Sequence, residues 1–382
     1  MKIAFVSDAA YPWNVGGLEA LEHTEAKSLA KEHEVHFFSF RWPGMSKSFK
    51  NNGIVYHTYH SITKDTFYRH GRRSIREAIL FSIGVVRLFR YKFDVLQANE
   101  FPILHIPLLK LYCIARRCKL VIDVAEVWDR AYWTTYLGSV AGVLAHAYAN
   151  MALRMGDAYI ANSSKTGRLI EELGVDRSKI SVFSPVLDTA KLGMIKGSDT
   201  VQKQVIFSGR LIKEKALDEW IKVIAKLNRL EKDFKAVIIG EGPEKQRLIR
   251  LARGAGLGNK IAFRDFYKES EKGKLYRDIK NSKVLLSVSK REGLGIIVLE
   301  SLALGTPVVL PSHSPIPREV KSMCVVEKSD HIPERLAEIL RSDDKARYIR
   351  NSSNLNLFSI AGTNQFYNGL FKKLGVHEGA KG

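Results

Sequence analysis

Short unbroken apolar runs recur along this chain, and each is separated from the next by a stretch with helical periodicity. In the first half the runs are residues 2–7, 34–39, 53–59, 94–97, 119–124, 158–161 and 180–183, with helical patterns at 18–31, 74–91 and 138–155. A strand apolar on both faces needs cover on both sides, which is the setting of a parallel sheet flanked by helices. Around residues 185–200 the pattern loosens into a Gly/Ser/Asp-containing stretch that reads as an interdomain linker. Alternation then restarts with strands at 204–208, 235–239, 261–263, 284–288 and 307–310. Helices are expected at 217–230, 243–255, 270–281, 295–304, 331–341 and 343–352, and an amphipathic segment at 363–374 closes the chain. The expected class is α/β: two Rossmann-like doubly wound domains, 1–190 and 191–356, facing across a cleft.

A length of 382 residues and 45% hydrophobic content support cores of ordinary size. The chain has no run of 18 apolar residues and opens directly on a strand, so neither a spanning helix nor a signal peptide is expected. Cys113, Cys118 and Cys324 fit neither a disulfide framework nor a zinc site, which points to a cytoplasmic protein. The formal net charge of +20 favours anionic partners. Its cations are dispersed, however, and no recognition module accompanies them, so nucleic acid is not among the expected partners.

Four strand-to-helix turns carry the chemistry. Gly16-Gly17 opens the first helix after the first strand, where open α/β sheets receive ligands. Gly209-Arg210-Leu211, with Lys215 shortly after, follows the first strand of the second half. Fixed cations there can stabilise charge developing on a departing phosphate. Gly240-Glu241-Gly242-Pro243 is a third such turn, with Pro at the helix start.

The fourth turn runs from Arg291-Glu292-Gly293-Leu294-Gly295 to Glu300, with seven residues between the two carboxylates. A helix start offers free N–H groups to an anion, and the flanking carboxylates can grip hydroxyls on either side of it. Glu300 lies among Ile297, Val298, Leu299 and Leu302, where a carboxylate needs a partner such as a ribose diol. With no Asp-x-Asp pair to hold a divalent ion on a diphosphate, no metal or other cofactor is expected, and Arg210 and Lys215 stand as the electrostatic substitutes.

In this order, over nearly the whole chain, these motifs resemble those of glycosyltransferase family 4, retaining nucleotide-sugar-dependent enzymes of the GT-B fold. The resemblance implies that Arg210 and Lys215 hold the donor diphosphate, that Glu292 faces the donor sugar, and that Glu300 takes the ribose. It also implies donor contacts from Gly209, Gly242, Gly293, Leu294 and Gly295, and an acceptor or phosphate loop made of Gly16, Gly17 and Glu126. A last helix, 357–376, should cross back onto the first domain. The donor would be a UDP-, GDP- or ADP-linked sugar, and the acceptor a glycan, a lipid-linked or a small molecule. With no clear covalent nucleophile, same-face substitution is the expected route, the departing phosphate oxygen taking the acceptor proton.

The sequence departs from the family pattern at Ala125, which stands where a His is usual, at Ala216, which replaces a frequent Gly, and before Ile316-Pro317, where a glycine pair is missing. Ala125 keeps open the alternative of a GT-B scaffold that binds without turnover. The segment 72–90, with Arg69 and Lys92 at its flanks, mixes cations with a broad apolar face. It is either a sheet-covering helix with a basic edge or a contact with an anionic membrane surface, which would make the protein peripheral.

Overall fold

The computed structural model describes residues 1–14, 16–69, 72–198 and 201–376, with the side chains of Arg69, Arg72 and Glu269 outside the description. Val15 of the first glycine turn, and Asp199 and Thr200 of the expected linker, also lie outside the described residues. The chain forms two compact units, one of residues 1–186 with 360–382 and one of residues 187–359.

In the first unit the strands are β1 (Lys2–Val6), β2 (Glu34–Arg41), β3 (Ser48–Asn51), β4 (Ile54–Ser61), β5 (Tyr68–Arg69), β6 (Arg72–Arg73), β7 (Val95–Asn99), β8 (Lys119–Val124), β9 (Ala158–Ala161) and β10 (Ile180–Val182). Eight of them form one sheet in the order β10-β9-β8-β7-β1-β2-β4-β3, while β5 and β6 pair separately. Every pairing in the large sheet is parallel except β3 with β4. The central strands are buried end to end, for example Val95–Asn99, as their unbroken apolar runs require. Ser163 caps the helix Ser164–Glu172 by accepting from the Thr166 N–H at 3.1 Å, and Asp129 caps Arg130–Leu137 in the same way. The helix Thr363–Lys373 buries Tyr367, Leu370 and Phe371 in the core of this unit and packs on the helix Gly17–Leu29.

The second unit holds β11 (Gln202–Ser208), β12 (Lys235–Ile239), β13 (Ile261–Arg264), β14 (Ser282–Leu286), β15 (Val308–Pro311) and β16 (Val325–Glu327). They form one sheet, β13-β12-β11-β14-β15-β16, with every pairing parallel. Its helix Leu217–Leu230 turns Leu217, Trp220, Ile221, Ile224 and Leu227 inward at helical spacing, and the Trp220 indole donates to the Leu286 carbonyl at 3.2 Å. In both sheets the chain first winds away on one side of its first strand and then returns on the other, between β1 and β7 and between β11 and β14. These switch points are where open α/β sheets bind ligands.

Several expected elements differ. The helix expected at 343–352 is instead a pair of 3-10 turns, Ala346–Tyr348 and Ser352–Phe358. Lys345 explains this locally: its ammonium donates to the Lys280 and Ser282 carbonyls at 2.6 Å and to Thr306 at 2.8 Å, which ties the segment to its neighbours. The expected helix 138–155 is present as Ser139–Leu153, and an unexpected helix, Arg130–Leu137, precedes it, the two separated at Gly138 with φ of 89°. The expected helix 74–91 becomes α-helix Ile75–Gly84 followed by 3-10 turns to Arg90. The C-terminal segment 357–376 is helical from Thr363 to Lys373, and the loose stretch before the second unit contains a short helix, Thr189–Gly193.

Candidate functional site

At the carboxyl ends of β11 and β12 two glycine turns are stitched together. The Gly209 N–H donates to the Ile239 carbonyl at 3.0 Å, Leu211 N–H to Glu241 at 2.8 Å, and Glu244 N–H back to Leu211 at 3.1 Å. A Cβ at Gly240 would lie 2.0 Å from the Gly209 carbonyl oxygen, and one at Gly242, whose φ is +154°, 2.4 Å from the Leu211 oxygen. Only hydrogen side chains permit this approach, so Gly242 first of all shapes the turn. Arg210 is exposed on the turn so formed.

Lys213–Lys215 makes one 3-10 turn, and Ala216, at φ 50° and ψ 40°, bends the chain into the helix that follows. The loop after β14 closes on it: Lys290 N–H donates to the Glu214 carbonyl at 2.9 Å, and the Lys290 ammonium reaches Glu219 at 2.7 Å. Lys215 and Glu292 meet at 2.5 Å, both largely buried at 19% and 14% exposure. Two motifs 77 residues apart thus share one contact at the second sheet's switch point. Gly293 and Leu294 lie on the loop, and Gly295, at φ 80°, turns it into the helix Ile296–Ala303. The first-turn amides of that helix have no acceptor within it.

Glu300 is buried, and the partner its carboxylate needs is already supplied within the protein. Its Oε1 accepts from the Tyr276 hydroxyl at 2.7 Å and pairs with the Lys272 ammonium at 3.1 Å, both from the helix Lys272–Asn281. That helix lies too far along the chain for spacing within 295–304 to reveal it. Two further groups escaped the sequence reading. The hydroxyls of Ser208, ending β11, and Ser289, after β14, are buried with no hydrogen-bond partner among the described residues. Their position, one serine beside each charged loop, was the available signal.

The first unit's switch point is different in kind. Gly16 precedes the helix Gly17–Leu29, and a Cβ there would lie 2.1 Å from the Glu19 carboxylate, which folds back to accept from Asn14. The Arg73 guanidinium donates to both carboxylate oxygens of Asp8, at 3.0 and 2.9 Å. Burial nevertheless raises the Asp8 carboxyl to about 6, against the opposing pull of Arg73. Glu126 donates its backbone N–H to Glu100 at 3.1 Å and accepts from the Trp128 indole at 3.2 Å. Ala125 sits beside it, its own N–H also on Glu100.

Beneath lie Glu22, Glu25 and Asp123, buried and mutually repelling. Burial first, then the charge of Asp123, pushes Glu22 and Glu25 well up and Glu100 to about 8. Asp123 itself is raised to about 7 by burial. The helix Gly17–Leu29 thus presents carboxylates at 19, 22 and 25 to the interior. That three-residue spacing is visible within the helical pattern at 18–31.

Two Rossmann-like units of this kind define a GT-B architecture. A sucrose-phosphate synthase of Thermosynechococcus elongatus matches over 98% of this chain and 99% of its own, with a TM-score of 0.73 at 13% identity. An Anabaena protein, HepE, solved in complex with UDP and glucose, matches over 97% and 99%, with a TM-score of 0.70 at 15% identity. The family profile described as glycosyltransferase family 4 matches residues 15–191, and that of glycosyl transferases group 1 matches 192–354. The chain belongs to glycosyltransferase family 4.

An uncharacterized glycosyltransferase of Methanocaldococcus jannaschii is 31% identical over 163 residues, 41% of this chain and 40% of its own length. A GDP-mannose-dependent phosphatidylinositol dimannoside mannosyltransferase of Mycobacterium tuberculosis is 31% identical over 177 residues, 46% and 44%. The chain spans less than half the length of these curated relatives.

Proposed function

We propose that the chain is a retaining glycosyltransferase that moves a sugar from a nucleotide-sugar donor to a glycan, lipid-linked or small-molecule acceptor without a metal ion. One observation carries the reading: the contact of Lys215 with Glu292 at the switch point of the second sheet, next to the helix start at Gly295. Lys215 and Arg210 supply positive charge to the diphosphate, so that its leaving oxygen is stabilised most when its charge is greatest. With the phosphate present, Lys215 divides its ammonium between it and Glu292, which frees carboxylate lone pairs for the donor sugar hydroxyls. Glu300, held in place by Tyr276 and Lys272, offers its remaining acceptor capacity to the ribose.

The acceptor enters beside Gly16, Gly17 and Glu126, and attacks from the face the diphosphate leaves, passing its proton to the departing oxygen. The mycobacterial relative is GDP-mannose-dependent by name and the Anabaena neighbour was solved with UDP, which supports a nucleotide-sugar donor, here a UDP-, GDP- or ADP-linked one to be distinguished by experiment. Thermal shift against UDP, GDP and ADP with their sugars identifies the base. Ligand at a hundredfold over Kd adds about 2.7 kcal/mol of stability. Transfer by the matching sugar should survive EDTA. A protein stabilised by no nucleotide and releasing none from any donor would sink the reading.

A further inference from the structure

The helices that cover one face of the first sheet are apolar on the wrong side. Ile75–Gly84, Ile106–Arg116 and Ser139–Leu153 connect β4 to β7, β7 to β8 and β8 to β9, so right-handed crossovers place them on the same face. They gather around the 3-10 turn Ile103–His105. Each should turn polar residues outward. Instead Ile83 is 61% exposed, Ile114 67%, Leu144 66% and Val140 76%. On the first helix Ile75, Ile79 and Ile83 recur every fourth residue and all are exposed, and Val86 continues the row. The third helix carries no charged residue at all. Contiguous apolar surface of this kind marks an interaction site rather than chance exposure.

Charge says what the site faces. Across residues 75–90, 106–117 and 139–154 the cations are Arg76, Arg87, Arg90, Lys110, Arg116, Arg117 and Arg154. The one carboxylate in those segments, Glu77, is buried. Beside Ile83 opens a cavity of about 640 Å³ whose charged and titratable lining is Arg41, Lys47, Tyr59, His60 and Arg87, with no carboxylate among the described residues. A smaller one of about 290 Å³ beside Ile114 is lined by Lys110, Arg117 and Lys119 against the single acid Asp157. Apolar ridges bordered by cations suit the boundary between acyl chains and phosphate headgroups, and none of the helices is long and apolar enough to cross a membrane.

We propose that this three-helix face docks on a bilayer rich in anionic phospholipid, its apolar residues entering the acyl boundary and the two cationic cavities taking headgroup phosphates. The surface is thus wider than segment 72–90 alone. It stands independently of glycosyl transfer, since a docked protein could use any acceptor class.

The test is flotation with vesicles of phosphatidylcholine, with and without equimolar phosphatidylglycerol, at low and high salt. Wild-type protein should bind the mixed vesicles, weakly or not at all the neutral ones, and lose binding in salt. The pair Ile83→Asp and Leu144→Asp should weaken binding at least tenfold, and Arg87→Ala about fivefold. Because these side chains are exposed, the thermal midpoint of each variant should match wild type, which separates lost docking from lost folding. Equal binding to both vesicle types, or undiminished binding by the Asp pair, overturns the proposal. So does a dimer in light scattering that the Asp pair splits while vesicles remain unbound, which would assign the face to a second copy of the chain. Donor hydrolysis assayed without vesicles reads the glycosyltransferase function separately.

Discussion

The two sheets share the same switch of winding about their first strand, yet the carboxyl ends of their central strands are built oppositely. In the second unit the charges stand in loops, partly open, and meet as ion pairs: Lys215 with Glu292, Lys290 with Glu219. In the first unit Glu22, Glu25, Glu100 and Asp123 are buried, and desolvation, joined on the three glutamates by repulsion from Asp123, holds them toward the protonated form. A paired loop charge can change partners when an anion arrives. A buried carboxyl cluster cannot easily do so, because each proton lost exposes its neighbours to more repulsion. The difference suggests that the second switch point is made for a charged, exchangeable ligand, and that the first is a rigid polar floor beneath one.

The largest effect that could break this contrast lies at Lys215. Lys215→Ala should lower kcat by about a hundredfold to a thousandfold, the scale for losing one preorganised transition-state contact. Glu292→Gln should keep the fold and weaken donor use through kcat as well. Steady-state kinetics with the identified donor read both. Near-wild-type turnover in both would make the ion pair a structural clamp and remove the proposed site.

Gly242→Ala tests the architecture that holds this loop. The added Cβ must displace the Leu211 carbonyl, and the residue must keep a φ of +154°. Stability should fall by about 3 kcal/mol, in the range of backbone strain and overpacking. Urea unfolding measures it. A neutral substitution would mean that the turns 209–211 and 240–244 are not stitched as described.

How much of this was legible depended on where the partner lay. The strands announced themselves, because apolar runs such as Ile3-Ala4-Phe5-Val6 can be buried on both faces only in a covered parallel sheet. β3 was missed, since Ser48-Phe49-Lys50-Asn51 is a half-exposed edge, yet Asn52-Gly53, with φ of 51° and 83°, is a two-residue hairpin turn that sequence rules recognise. The contact between Lys215 and Glu292 joins motifs read separately, each supplying the charge that the other needs. Glu300's partners, Tyr276 and Lys272, lay on another helix, and no local pattern foretells such a meeting. The 343–352 helix failed for the same reason: the half-buried Lys345, lowered to about 8 by burial and its neighbours Lys283 and Lys280, outweighs local propensity.

pH sharpens the comparison from the other side. The carboxyls of the first unit bind protons more tightly folded than unfolded, so as pH rises past the unfolded carboxylate values the unfolded chain releases protons that the folded one keeps. The stability these carboxyls contribute is therefore fully present in acid and is lost between about pH 4 and pH 8, the window set by Asp123 near 7 and Glu100 near 8. The groups facing this cluster are Glu19, Asn99, Gln97, Ser7 and Tyr367, and the cation that acts on Glu100, Arg73, is already engaged by Asp8 and Glu19. The thermal midpoint of the first unit should drop by about 5 °C or more from pH 5 to pH 8. Asp123→Asn, which removes the charge repelling both Glu22 and Glu25, should flatten that slope. The second unit, which holds no such cluster of buried carboxylates among its described residues, should show no such decline over the same window.

The smallest effect concerns Ala216, whose left-handed backbone at φ 50° is unfavourable for any residue with a Cβ. That conformation costs about 1–2 kcal/mol, while glycine's extra freedom in the unfolded chain returns about 0.4–1 kcal/mol of it. Ala216→Gly should therefore stabilise the second unit by about 0.5–1 kcal/mol, a rise in Tm of about 2 °C. Because Ala216 follows Lys215 directly, the same variant also asks whether the strained turn sets the lysine's position. If turnover is unchanged while Tm rises, the hydrogen bond from Lys290 N–H to the Glu214 carbonyl is enough to hold the loop. If turnover falls as Tm rises, the alanine has been retained at the expense of stability to keep Lys215 against Glu292, and the exchangeable ion pair becomes a strained one.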